Sequence, residues 1–509
     1  MSTARKILSN TFIQVVGKVG VGFFSLITSV LLASYLTKAE RGMYEFAYMF
    51  LGFAGIAADL GLYTIAIREL AKNKEKMEET IGNILSIRLV LSILVVVASL
   101  LVISFVPAFQ KGWGVMFLIA LGLAGISTIF ALLTGALTSV LQVEYDMLHA
   151  TIAQVVGKIV IVSIFCISIF LLYAKPSPGY AADTTFLGFQ ALFLAGVIGN
   201  IVMFFYTRHV ASAYVRIRFL FNWEFWKRII KESLPYGFAL VLATLYFKID
   251  ALLLYFFLPK EIVAEELALY SAPIKVIEIF TILPLFFLNA LLPALSESIK
   301  TKSKDVSAMI QYSFDFLFLM SAPIVAGGWA LSREVIRVTN SDAYISNLQT
   351  GFVGSDIYLQ ILIFTIVFSF LNLLFNFLLI AQDNQKKLII VNCTTLVLNV
   401  VANIICIPIW GVKAAAIITV ISEIIVLVMT YYYARKGLEF HLRAGKFLKI
   451  ALAAVSMAVL LKYLEGPLFS TMGKYPAMLI ALMIGGTTYL LLLIALRVVD
   501  KEMLRKLKR

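Results

Sequence analysis

The chain has 509 residues, 61% hydrophobic and only 14% charged, with a mean hydropathy of +0.95. Soluble proteins average about 45–50% apolar and about 25% charged, so the composition excludes a soluble globular protein. It predicts an all-α, polytopic membrane protein, because the apolar runs are too long and continuous for barrel strands. The net charge of +14 fits basic loops over anionic lipid and does not point to a nucleic-acid partner.

Met1–Asn10 is short and polar and leads straight into an apolar run without a small-residue cleavage site. It is therefore read as preceding a transmembrane helix, not as a cleaved signal peptide. Apolar runs long enough to span a bilayer follow at Thr11–Leu36, Gly42–Ile67, Ile81–Val106, Trp113–Leu141, His149–Tyr173 and Thr185–Thr207. Residues 1–207 thus form a six-span N-terminal lobe, and residues 208–232 a basic connector. The C-terminal lobe, 233–436, holds Ser233–Leu258, Leu267–Leu295, Met309–Leu331, Ile357–Ala381, Leu388–Trp410 and Ala414–Tyr433. Residues 437–509 add Phe447–Leu464, Tyr475–Leu496 and a basic tail ending in Lys506, Lys508 and Arg509, for about fourteen spans.

Lysine and arginine concentrate on one side of this arrangement. With the N-terminus inside, roughly 28 lie on the cytoplasmic side and roughly ten opposite. Arg68, Lys72, Lys74 and Lys76 are inside, as are Arg216, Arg218, Lys300, Lys302, Lys304, Arg435 and Lys436. Both termini are then cytoplasmic, in a cell membrane. The longest outer loop, around Ser332–Asp356, has room for a turn and an interfacial segment but no folded domain.

The hairpin from Glu232 to Lys300 carries charges inside both of its apolar runs: Lys248 and Asp250, then Lys275 and Glu278. Each charge at a bilayer centre costs about 2.5–3.5 kcal/mol on insertion scales. Lys275 and Glu278, three apart, share a helical face and can neutralise each other or line a watery cavity. Lys248 and Asp250, two apart, point in different directions. Other spans carry polar stripes: Gln14, Lys18, Ser25 and Ser29; Glu45, Gly52 and Asp59; Gln154 and Lys158; Asn392, Asn399 and Asn403. The asparagines suit interhelical glue. Lys18, Lys158, Lys248 and Lys275, with Arg88, come from five helices and would make a cationic lumen for an anionic headgroup. Against that stand six acids at similar depth, Glu45, Asp59, Asp250, Glu278, Asp315 and Glu423, which must segregate elsewhere.

No catalytic constellation is present. The chain has no GxxxxGK[ST], no HExxH and no GxSxG, which argues against an enzyme and against ATP hydrolysis by this chain. Gly17, Gly20 and Gly22 lie within a span, where they suit close helix packing. Cys166, Cys393 and Cys406 all sit in apolar runs and imply no disulfide framework, and the three histidines lack metal spacing. No cofactor is expected. Met43-Tyr44-Glu45-Phe46-Ala47 and Leu269-Tyr270-Ser271-Ala272 recur at a separation of about 226 residues. With six spans per half, the repeat is parallel, and sites in such folds lie near the midplane between halves.

Several stretches together resemble the polysaccharide-repeat flippases (Wzx-like, O-antigen repeat-unit) of the multidrug/oligosaccharidyl-lipid/polysaccharide (MOP) exporter superfamily. They are Ala58-Asp59-Leu60-Gly61-Leu62 with Ile67-Arg68-Glu69-Leu70-Ala71, then Leu234-Pro235, Lys248-Ile249-Asp250-Ala251-Leu252-Leu253-Leu254 and Leu269-Tyr270-Ser271-Ala272, and finally Ile407-Pro408-Ile409-Trp410-Gly411-Val412-Lys413 with Ile421-Ser422-Glu423. The resemblance extends over essentially the whole chain and departs at Lys413, where the family often has a small or apolar residue. It implies a MATE-like fold of two six-helix lobes plus two C-terminal helices, working by alternating access. It implies a polyprenyl-(pyro)phosphate-linked sugar as cargo and, as partners, polysaccharide polymerase or glycosyltransferase machinery. By position, Lys18, Lys248 and Lys275 fit the family's phosphate-binding cations. Asp250, with Glu278 and Asp59, would couple transport to a proton or sodium gradient. A peptidoglycan-precursor flippase and a cation-coupled multidrug antiporter are the competing readings.

Overall fold

In the computed structural model, residues 3–498 are described apart from 60, 107–112, 174–183, 282, 302–305, 348, 383, 439 and 441. The basic tail lies outside the described residues. Eighteen α-helices account for most of the described residues: α1 (Thr3–Tyr35), α2 (Lys38–Asp59), α3 (Leu62–Lys72), α4 (Met77–Phe105), α5 (Gly114–Val143), α6 (Met147–Ile167), α7 (Phe186–Ala211), α8 (Trp223–Phe257), α9 (Val263–Phe280), α10 (Leu283–Lys300), α11 (Val306–Ala330), α12 (Ser332–Thr339), α13 (Ser355–Leu362), α14 (Thr365–Ala381), α15 (Gln385–Trp410), α16 (Val412–Gly437), α17 (Ala444–Met472) and α18 (Lys474–Ala495). In hydrocarbon every backbone polar group needs an internal partner, and a helix supplies one within the segment. Thirteen stretches among the described residues are long and apolar enough to cross a membrane. The remaining expected span, Ser233–Leu258, lies in α8 up to its C-cap, Leu258.

Three expected spans are not continuous helices among the described residues; the tenth, Ile357–Ala381, divides into α13 and α14 at Ile363 and Phe364. The second breaks between α2 and α3, where Gly61 takes φ +75°, a left-handed backbone that suits glycine. The eighth, Leu267–Leu295, divides into α9 and α10 around Thr281. Pro284 follows at once; it lacks an N–H and its ring clashes with the preceding turn, so a helix starts there more easily than it passes through.

Backbone proximity divides the chain into two compact units, up to Ala268 and from Leu269 onward, so α8 groups with the first unit. In the first unit, Leu85, Leu137, Val140, Leu141 and Phe204 pack a fully apolar core. An aromatic cluster joins α8 to α2, with Phe46 stacked on Tyr255 at 3.9 Å and Trp113 edge-on to both. Gly42 lies against the carbonyl of Ala264, where a Cβ would come within 1.7 Å of the oxygen. The glycines of α1 behave unequally: a Cβ on Gly17 would strike Thr151 of α6, whereas Gly22 has nothing within 4 Å.

The basic connector is docked. Asn83 on α4 accepts hydrogen bonds from the Asn222 N–H (2.8 Å) and the Trp226 indole (3.2 Å). Arg68 on α3 pairs with Glu232, and Arg228 approaches Glu69. In the second unit α17 and α18 pack on α11 through Phe318, Ile450, Met457 and Tyr489, with the Phe318 and Phe447 rings stacked at 4.2 Å. The loop between α11 and α13 holds α12 and a turn. Arg337 bridges Glu334 and Asp342, each at 2.7 Å, and Asp356 accepts from Ser346.

Candidate functional site

The first unit contains a cavity of about 480 Å³ framed by α2, α5 and α7. Tyr48, Gly52, Gly55 and Asp59 come from α2, Ser127, Thr128 and Leu132 from α5, and Asn200 from α7. Seven-residue spacing puts Gly52 and Asp59 on one face of α2. The two glycines keep that face low: a Cβ at Gly52 would meet nothing within 4 Å, and one at Gly55 would only touch Thr128. Asn200 donates to the Ser127 hydroxyl at 2.7 Å, which fixes the polar wall between α5 and α7.

At one end of the cavity stands an ion pair. Arg88 of α4, only 3% exposed, donates to the Asp59 carboxylate and, at 2.7 Å, to the Leu132 carbonyl. The guanidinium fits because Gly135 lies beside it; a Cβ there would sit 2.8 Å from Nη1. Two residues expected in different roles, a lumen cation and an ion-coupling acid, are thus brought together. Asp59 is the last residue of α2, so the pair also ties the α2–α3 break to α4 and α5.

Other membrane acids are held by polar side chains too. Glu45 lies 4.0 Å from Arg41, whose guanidinium is fully buried and donates to Ser29 at 2.9 Å. Glu423 accepts from Asn372 at 2.6 Å, and Asp315 from Gln311 at 2.8 Å. Asn399 donates to Ser422 of α16, the interhelical role expected of it, while Asn403 donates to Asn399 one turn away on the same helix, α15.

The remaining sequence-selected residues are distributed as follows. Lys18 is exposed on α1, one residue from the Gly17 contact with α6. Lys158 is half-buried on α6, next to Gly157, which approaches the Gly199 carbonyl of α7. Asp250 is buried on α8. Lys275 is half-buried and Glu278 exposed on α9, in the second unit. The Lys248 side chain lies outside the described residues. Sequence reasoning did not single out Arg41, Tyr48, Ser127 or Asn200. Arg41 sits in a short charged turn that reads as a loop, and the others are isolated polar residues within apolar runs.

Residues 7–299 match the sequence model described as polysaccharide biosynthesis protein, and residues 235–405 match that described as MatE. No curated protein sequence matches the chain. The fold is similar to the lipid II flippase MurJ in an inward closed conformation, with a TM-score of 0.73, 17% identity, and coverage of 99% of this chain and 100% of that one. It is also similar to a multidrug resistance MATE family transporter of the MOP superfamily. The inward-facing form gives a TM-score of 0.64 at 17% identity, covering 83% of this chain and 97% of that one. The outward-facing form gives 0.59 at 14% identity, covering 85% and 95%.

Proposed function

This chain belongs to the polysaccharide biosynthesis protein family of the MOP superfamily, and from that premise we propose that it is a lipid-linked oligosaccharide flippase. It is a multi-pass membrane protein of the transporter or flippase type. In our reading it moves polyprenyl-(pyro)phosphate-linked sugar units from the cytoplasmic to the outer face of the cell membrane by alternating access, with both termini cytoplasmic.

A sugar headgroup cannot cross about 30 Å of hydrocarbon unaided, because unpaired hydroxyls cost several kcal/mol each. A polar path through the protein removes that cost while the polyprenyl tail stays in lipid. An inside-negative potential favours outward movement of an anion by about 2.3 kcal/mol per charge per 100 mV. The chain itself performs no covalent chemistry in this scheme.

The observation that carries the anionic-cargo reading is the pairing of acids. Arg88 neutralises Asp59 at the cavity of the first unit, and Arg41 lies beside Glu45. An acid-lined site for an organic cation is therefore compensated, while Lys18 stands exposed on α1. We assign Lys18, Lys158, Lys248 and Lys275 to the headgroup phosphate, Arg88 to holding Asp59, and Asp250 and Glu278 to coupling with a proton or sodium gradient. Polymerase or glycosyltransferase machinery would supply and receive the lipid. The MurJ likeness favours a second reading, a peptidoglycan-precursor flippase, and the MatE match a third, a cation-coupled antiporter.

The test is translocation of fluorescent polyprenyl-pyrophosphate sugars in proteoliposomes, comparing wild type with Lys248→Gln and Lys275→Gln. Flipping by wild type, lost in both folded variants, supports the reading. Movement of organic cations against an ion gradient, with no lipid flipping, replaces it with the antiporter. Flipping of a peptidoglycan precursor alone selects the second reading.

A further inference from the structure

The second unit contains a cavity of about 500 Å³ between α11 and α17, lined by Ser307, Ala308, Gln311, Tyr312, Asp315, Arg443 and Lys446. It lies on the side that the lysine and arginine distribution assigns to the cytoplasm. We propose that it binds the phosphate of a lipid headgroup in the cytoplasmic leaflet. The proposal does not depend on which cargo the protein carries.

Both helices begin at this cavity. Ser307 and Ala308 belong to the first turn of α11, while Arg443 is the N-cap of α17 and Lys446 lies in its first turn. The N–H groups of a first turn have no intrahelical partner, and the helix dipole places partial positive charge there. Arg443 provides no side-chain cap for α17. Two such ends with an arginine and a lysine around one hollow match the requirements of a phosphate, which takes charge-assisted hydrogen bonds from guanidinium and backbone N–H groups alike.

The hollow is also built rigidly. Gln311 accepts from the Arg443 N–H at 2.7 Å and donates to Asp315 at 2.8 Å, so one amide side chain fixes the α17 N-terminus against α11. Asp315 is buried at the side and already takes that bond. Arg443 and Lys446 together outweigh its charge by one. Tyr312 is exposed at the rim, and its ring and hydroxyl suit the boundary between acyl chain and headgroup.

Binding to the full-length protein is measured by native mass spectrometry with phosphatidylglycerol, a polyprenyl phosphate and inorganic phosphate. The expected result is lipid binding that weakens about fivefold for each of Arg443→Gln and Lys446→Gln, equivalent to ~1 kcal/mol per basic residue near a membrane surface. Lys449→Gln, which removes an exposed charge of α17 outside the cavity, leaves binding unchanged. Preference for the polyprenyl phosphate identifies the ligand as a carrier lipid, and equal binding of both lipids as a membrane phospholipid. Binding of inorganic phosphate without either lipid overturns the lipid assignment. Equal loss in Lys449→Gln, or no loss in the double variant, overturns the site. If the double variant does not fold, Asp315→Asn decides: tighter binding supports the site, and unchanged or weaker binding overturns it.

Discussion

Arg88 on α4 and Asp59 at the end of α2 form an ion pair beside a membrane-embedded cavity, with the Leu132 carbonyl of α5 completing the guanidinium's bonding. Both residues lie in apolar stretches, so each alone would be an expensive charge.

Removing one member of that pair leaves the other buried and uncompensated. Arg88→Gln is expected to destabilise the protein by about 3 kcal/mol, in the range for breaking a buried ion pair. Asp59→Asn costs less, since Asp59 is 20% exposed. The double variant should lose less than the sum of the singles, because the coupling is counted once. Denaturation of the purified protein, followed by tryptophan fluorescence, measures all three.

Gly42 and Gly52 sit on the same helix and should respond oppositely to alanine. At Gly42 a methyl group meets the Ala264 carbonyl of the main chain, so α2 must shift; the expected loss is about 1–3 kcal/mol. At Gly52 the methyl enters open space, and the gain in helix propensity is up to ~1 kcal/mol. Comparing the two unfolding midpoints checks the close approach directly.

Asn83 is the anchor of the connector. Asn83→Ala leaves the Asn222 N–H and the Trp226 indole without their acceptor, at a cost of about 1–3 kcal/mol. Limited proteolysis should then cut between Arg208 and Lys231 faster than in wild type.

Acid stability should depend on Asp146, which caps α6 outside the membrane spans. Burial opposes its ionisation, but hydrogen bonds from His149 and Tyr214 outweigh this and hold its carboxyl below the usual range. A depressed folded-state pKa means the contribution is full above the unfolded value of about 3.9 and is lost as pH falls through the folded value. Asp146→Asn should therefore lower stability at neutral pH and reduce its fall on acidification below about pH 4. Unfolding midpoints measured across that range test the sign.

Much of the architecture was legible because the bilayer leaves few options. A run of about 20 apolar residues must be a helix, and each of the expected spans is helical in the structure. The interhelical role of Asn399 and the packing role of Gly17 follow from the same rule, since small and amide residues are what membrane helices use to meet. The interruptions of the second and eighth spans were less visible. Gly61 and Pro284 are single residues, and whether a glycine or proline bends, breaks or merely sits within a helix depends on what packs around it.

The sequence by itself determined the class, the helical character of the apolar runs and the presence of buried charge. It left undecided which charges meet. Arg88 and Asp59 are 29 residues apart, Gln311 and Arg443 132 apart. Such pairs are set by which helices become neighbours, and helical periodicity gives only the face of each residue. The tertiary structure decided that Asp59 is neutralised by arginine, and that Arg443 and Lys446 gather at the start of α11. Electrostatic partnership needs a distance of a few ångströms, and only packed helices supply it.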